Sequence, residues 1–62
     1  MLPKIKLYAN GWSAHAEKGS YAGLYTVLIR TAKGDIHDRV RCDDYRTAMD
    51  YYKIFCNIAR NA

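Results

Sequence analysis

Lys4-Ile5-Lys6-Leu7-Tyr8-Ala9-Asn10-Gly11-Trp12-Ser13 is the stretch from which the rest of the sequence is best read. Ile5, Leu7 and Ala9 alternate with Lys4, Lys6 and Tyr8. A period of two marks a strand with one buried face, and it predicts a strand over residues 4–10. Pro3 precedes it, where a missing N–H costs nothing. Asn10-Gly11 then opens a turn. Asn-Gly is a strong two-residue hairpin signal, but no run rich in β-branched or aromatic residues follows at once. The reading is therefore a longer loop, carrying Trp12, His15 and Lys18 and ending near Ser20.

Residues 21–31 form the strongest expected strand, dominated by aromatic and β-branched side chains. Tyr25, Val27 and Ile29 share one face; Leu24, Thr26 and Leu28 share the other. Both faces are largely apolar, so both are expected to be covered. Ala32-Lys33-Gly34-Asp35 is a tight turn. A third strand over 36–42 sets Ile36, Val40 and Cys42 against His37, Arg39 and Arg41. Asp43 and Asp44 offer N-cap oxygens and favourable charge for a helix over about 44–61. At the helical period, Tyr45, Ala48, Met49, Tyr52, Phe55, Cys56 and Ala59 make one stripe, and Tyr51, Ile54 and Ile58 a second beside it. Together they span roughly 200°, wider than packing on one sheet requires.

The expected architecture is α+β: a single small domain over residues 1–62, β-β-β-α, with a three-stranded antiparallel meander and one C-terminal helix packed on one face. Ile5, Leu7, Tyr25, Val27, Ile29, Ile36 and Val40 are expected to face the helix. Two apolar surfaces are left without a partner, Leu24 with Leu28 on the outer sheet face and Tyr51, Ile54 and Ile58 on the helix. Both are candidate protein interfaces. A 62-residue chain buries only about 60% of its unfolded surface. Half of its residues are hydrophobic, six of them Tyr, and a homo-oligomer is the simplest way to bury the excess.

The formal charge of +4 and the pI near 9.3 give a modest bias toward anions. Lys4, Lys6, Arg30, His37, Arg39 and Arg41, with Tyr8 among them, are expected on the outer sheet face. Basic side chains interleaved with an aromatic suit a phosphate backbone. Three-stranded sheets that lay strands in the DNA major groove use a similar layout. A solvated face kept charged against edge pairing has the same composition. Cys42 and Cys56 lack paired-ligand spacing, and His15 and His37 do not supply it, so neither a metal nor another cofactor is expected. Two reduced thiols, no signal-peptide pattern and no apolar run near the ~20 residues of a membrane span point to a cytoplasmic protein without a membrane partner.

The order of elements resembles the N-terminal half of the ribonuclease H fold. The stretches that carry the resemblance are Tyr8-Ala9-Asn10-Gly11, then 19–28, Gly-Ser-Tyr-Ala-Gly-Leu-Tyr-Thr-Val-Leu, and Met49-Asp50 in the helix. Carried over, the resemblance sets Asn10 where a first metal-binding Asp would stand and Asp50 where a helix Glu would stand. Two-metal catalysis needs several carboxylates around ions about 3.5–4 Å apart. Asn is a weak neutral ligand for Mg²⁺. The chain is also similar in architecture to the partial ribonuclease H folds of HicB-type antitoxins, which act as oligomeric binding proteins. The resemblance thus implies a binding role. The expected function is a non-enzymatic, oligomeric interaction protein of possible phage or prophage origin. The alternatives are a nucleic-acid binder using the basic sheet face and, behind it, part of a metal-dependent nuclease completed by a partner.

Overall fold

A computed structural model describes residues 2–19 and 24–62. They form four strands and one helix: β1 Lys4–Leu7, β2 Ser13–Lys18, β3 Tyr25–Arg30, β4 Ile36–Cys42 and α1 Tyr45–Arg60. The strands form one antiparallel sheet in the order β1-β2-β3-β4. The class is α+β as expected, with four strands in place of three. The first three residues of the strand expected over 21–31 lie outside the described residues.

β2 is the element that the sequence pattern hides. Its residues, Ser-Ala-His-Ala-Glu-Lys, contain no β-branched side chain and no Phe, Tyr or Trp. Ala14 and Ala16 are nonetheless fully buried. The helix packs chiefly over β2 and β3, and Ala48 and Ala59 on its underside are also fully buried. Small side chains on both layers let the helix lie close to the sheet, so burial and pairing with two neighbours override the weak strand propensity of alanine.

The Asn10-Gly11 step makes a tight hairpin. Gly11 N donates to Tyr8 O and Tyr8 N donates to Trp12 O, each at 2.9 Å. Gly11 has φ +90°. The loop is therefore three residues long, a turn followed by a left-handed glycine. The turn at 31–35 repeats the pattern: Gly34 N donates to Thr31 O, Thr31 N donates to Asp35 O, and Gly34 also has φ +90°.

The register corrects the faces expected for β1 and β4. Lys4 and Lys6 oppose the buried Ala16 and Ala14, so Lys4, Lys6 and Tyr8 lie on the helix side. Ile5 and Leu7 lie on the other face, 66% and 72% exposed. In β4 the register slips. Ile29 opposes Asp38 while Arg30 opposes Ile36, which leaves His37 as the extra residue of a bulge. A one-residue slip reverses facing. Ile36 consequently joins the outer face at 48% exposure, while Val40 and Cys42 keep the inward positions. The core is Ala14, Ala16, Val27, Ile29, Cys42, Ala48, Phe55 and Ala59, with Leu2, Tyr8, Trp12, Tyr25, Val40, Met49, Tyr52 and Cys56 packed at its margin.

Asp44 starts the helix with extended backbone at φ −138°. Its carboxylate accepts from Thr47 N at 2.7 Å and from Thr47 Oγ1 at 3.1 Å. Those bonds hold the Asp44 carboxyl below the usual range, the backbone bond being the larger cause. At the other end, Asn10 reaches across from the first hairpin. Its Nδ2 donates to Ala59 O, a carbonyl of the last helical turn, at 2.8 Å and to Ala62 O, beyond the helix, at 3.2 Å. Its Oδ1 accepts from Trp12 N at 3.0 Å.

Candidate interaction surface

The helix covers one face of the sheet, and among the described residues nothing covers the other. The open face can be read row by row from the register. Leu7, Ser13, Arg30 and Ile36 form one row; Ile5, His15, Leu28 and Arg39 the next; Glu17, Thr26 and Arg41 a third. Leu24 extends it below Thr26, where Leu24 O accepts from Gly19 N. The layout is asymmetric. β1 presents only aliphatic side chains here, whereas β4 presents Arg39, Arg41 and Ile36, with Arg30 beside them on β3.

Leu28, at the centre, is only 8% exposed, because His15 and Arg39 flank it across the ladder. His15 Nε2 lies 3.8 Å from Glu17 Oε2 on the same strand. Arg30 Nη1 donates to Gly34 O at 3.1 Å, which ties one cationic side chain to the second turn. Among the described residues, Trp12, Phe55 and the tyrosines lie elsewhere. Trp12 packs at the core margin, its ring 5.2 Å from that of His37 in an edge-on arrangement. Tyr25 meets Tyr45 at 6.1 Å.

The expected basic surface is therefore divided. Arg30, Arg39 and Arg41 share the open face. Lys4, Lys6 and Tyr8 belong to the helix side of the edge strand, with Lys6 Nζ 6.0 Å from the centre of the Tyr8 ring. His37 sits at the bulge against Trp12. Tyr8 belongs to a polar cluster at the helix flank. The neighbouring Cys56 thiol, foremost, and burial raise the Tyr8 phenol above its ordinary value. Burial, followed by the influence of Cys56, pushes Tyr52 up to about 12. Burial also raises the Cys42 thiol, with Asp44 and Asp43 adding to the shift.

The proposed interface residues also separate. Leu24 and Leu28 belong to the open sheet face. Tyr51, Ile54 and Ile58 form an exposed strip along α1. The opposite helix flank, Tyr52 and Cys56, meets Tyr8, which places the strip on the β4 side. Sequence reasoning missed Ile5, Leu7 and Ile36 as surface residues. The signal for the first two was the alternation in β2, where Ser13, His15 and Glu17 oppose Leu7, Ile5 and Thr26 across their ladders.

Asn10 and Asp50 do not meet. Asn10 binds carbonyls at the C-terminal end of α1, and Asp50 lies nine residues before Ala59 on the exposed arc, about 13 Å along the axis. Among the described residues, no group of three or more His, Cys, Asp or Glu is placed to hold a metal ion, and no helix is long and apolar enough to cross a membrane. No protein-family model, curated protein or solved structure matches the chain.

Proposed function

We propose that this chain is a non-enzymatic interaction protein that works as a homodimer through its open sheet face. The observation that carries the reading is the exposure of Ile5, Leu7 and Ile36 on a sheet face that no described element covers. An aliphatic surface with arginine at its margin has the composition of a protein interface, which favours Arg over Lys. The asymmetry of the face favours a second copy. A two-fold axis along the strands sets β1 of one copy over β4 of the other. Ile5 and Leu7 then cover Ile36 and the aliphatic stems of Arg39 and Arg41, whose guanidinium groups reach solvent at the rim. Aligned sheets pack in this way at about −30°.

The test is the solution mass across a dilution series. The expected result is a dimer at high micromolar concentration that Ile5→Asp or Ile36→Asp converts to a folded monomer, while Ile58→Asp does not. A monomer throughout the natural chain's series would refute the reading.

A second reading, nucleic-acid binding, draws on Arg30, Arg39 and Arg41 sharing that face. It requires duplex DNA binding that weakens with salt and with Arg39→Ala and Arg41→Ala together. Absence of a gel shift at low salt would remove it.

A further inference from the structure

We propose that Asn10 is a deamidation site gated by the fold, and that its product releases the lock between the first hairpin and the helix. Asn10 precedes Gly11, and a following residue without a Cβ leaves its backbone nitrogen unhindered. In the reaction, Gly11 N attacks Asn10 Cγ. The new C–N bond closes a succinimide, and the side-chain nitrogen leaves as ammonia, carrying the proton lost from Gly11. Water then opens the ring at either carbonyl. The products are Asp with the normal main chain or its β-linked isomer. The sum is amide plus water to carboxylic acid plus ammonia, with no other reactant.

The folded turn opposes the first step. Gly11 N is engaged with Tyr8 O at 2.9 Å. The Asn10 amide is held at both ends, by Ala59 O and Ala62 O through Nδ2 and by Trp12 N through Oδ1. Gly11 is itself wedged, since a Cβ there would lie 2.9 Å from Ala32 Cβ. Nitrogen and carbon can meet only when the hairpin opens. Asn10 is exposed, so water is present once the ring has formed.

The product cannot restore the lock. A carboxylate has no hydrogen to donate to Ala59 O or Ala62 O. It also sets negative charge against the negative end of the helix. The β-linked isomer adds a backbone carbon to a loop whose ends are fixed by the Tyr8–Trp12 pair. Chains that open are thereby converted into chains that close less well.

The test uses the natural chain, incubated in mildly alkaline buffer with and without concentrated urea, followed by peptide mapping for the exchange of NH₂ for OH at Asn10. Asn57 and Asn61 serve as internal references. The expected result is deamidation at Asn10 at least about tenfold slower in the folded chain, and a lower melting temperature, or no folding, for the separated deamidated chain. Equal rates in the two conditions would overturn the gating. A deamidated chain that melts with the natural one would overturn the lock.

Discussion

The two faces of the sheet use similar residues to opposite ends. On the helix side, Val27 and Ile29 are fully buried. On the open side, Ile5 and Leu7 are the most exposed large apolar residues described in the molecule. The difference lies in what covers each face. One helix spans β2 and β3 and is fixed at its C-terminal end by Asn10 from the first hairpin. The opposite layer has aliphatic side chains and arginines and, within the described residues, no element to cover them. Residue type alone does not separate the core from the open face here; the position of the helix does.

Truncation on the two faces should differ most. Ile29→Ala is expected to cost about 2–4 kcal/mol, the usual range for a cavity under a packed helix. Ile5→Ala and Leu7→Ala should each cost less than about 0.5 kcal/mol at concentrations where the chain is monomeric. Urea melts at low concentration measure both. Equal losses on the two faces would break the comparison.

The two glycine turns sharpen it next. Both glycines have φ +90°, where an L side chain costs roughly 1–2 kcal/mol. A Cβ at Gly34 would meet nothing within 4 Å, but one at Gly11 would lie 2.9 Å from Ala32 Cβ. Gly11→Ala is therefore expected to destabilise more than Gly34→Ala. Equal effects would show that the first turn is not packed against the second.

The helix start should give a smaller loss. Asp44→Ala removes the carboxylate that caps Thr47 and is expected to lower the melting temperature by a few degrees. The effect should fade in acid. A carboxyl held low by folding stabilises above its unfolded pKa, and that contribution is lost as pH falls through the folded value.

A separate effect lies at the alkaline end. Tyr52, raised to about 12 by burial, favours the folded state fully below an unfolded pKa of about 10. That contribution falls as pH rises from there through about 12. A spectrophotometric titration should show Tyr52→Phe removing a tyrosine that ionises at about pH 12. Loss of one that ionises at about pH 10 would contradict the buried setting.

Much of the architecture was legible in the residues, and the misses have physical causes. The α1 stripe from Tyr45 to Ala59 was clear because large apolar side chains recur at the helical period. β3 was clear because both of its faces are apolar. β2 was not, since Ala14 and Ala16 make room for the helix and alanine carries no strand signature. Missing β2 removed the partner that fixes which way Ile5 and Leu7 point, so β1 was turned over. Ile36 was misplaced for a different reason: the bulge at His37 reverses facing within one strand, and no local residue type announces it. Asn10 was legible as a turn residue. Its bond to a carbonyl 49 positions away was not.

The central claim is that copies of the chain meet through the open sheet face. Nuclear magnetic resonance of the natural chain on dilution tests it most directly. The account predicts concentration-dependent shifts at Ile5, Leu7, Leu28, Ile36 and Arg39, with Tyr51, Ile54 and Ile58 unchanged. Shifts confined to the helix strip, or none on either surface at any concentration, would contradict it.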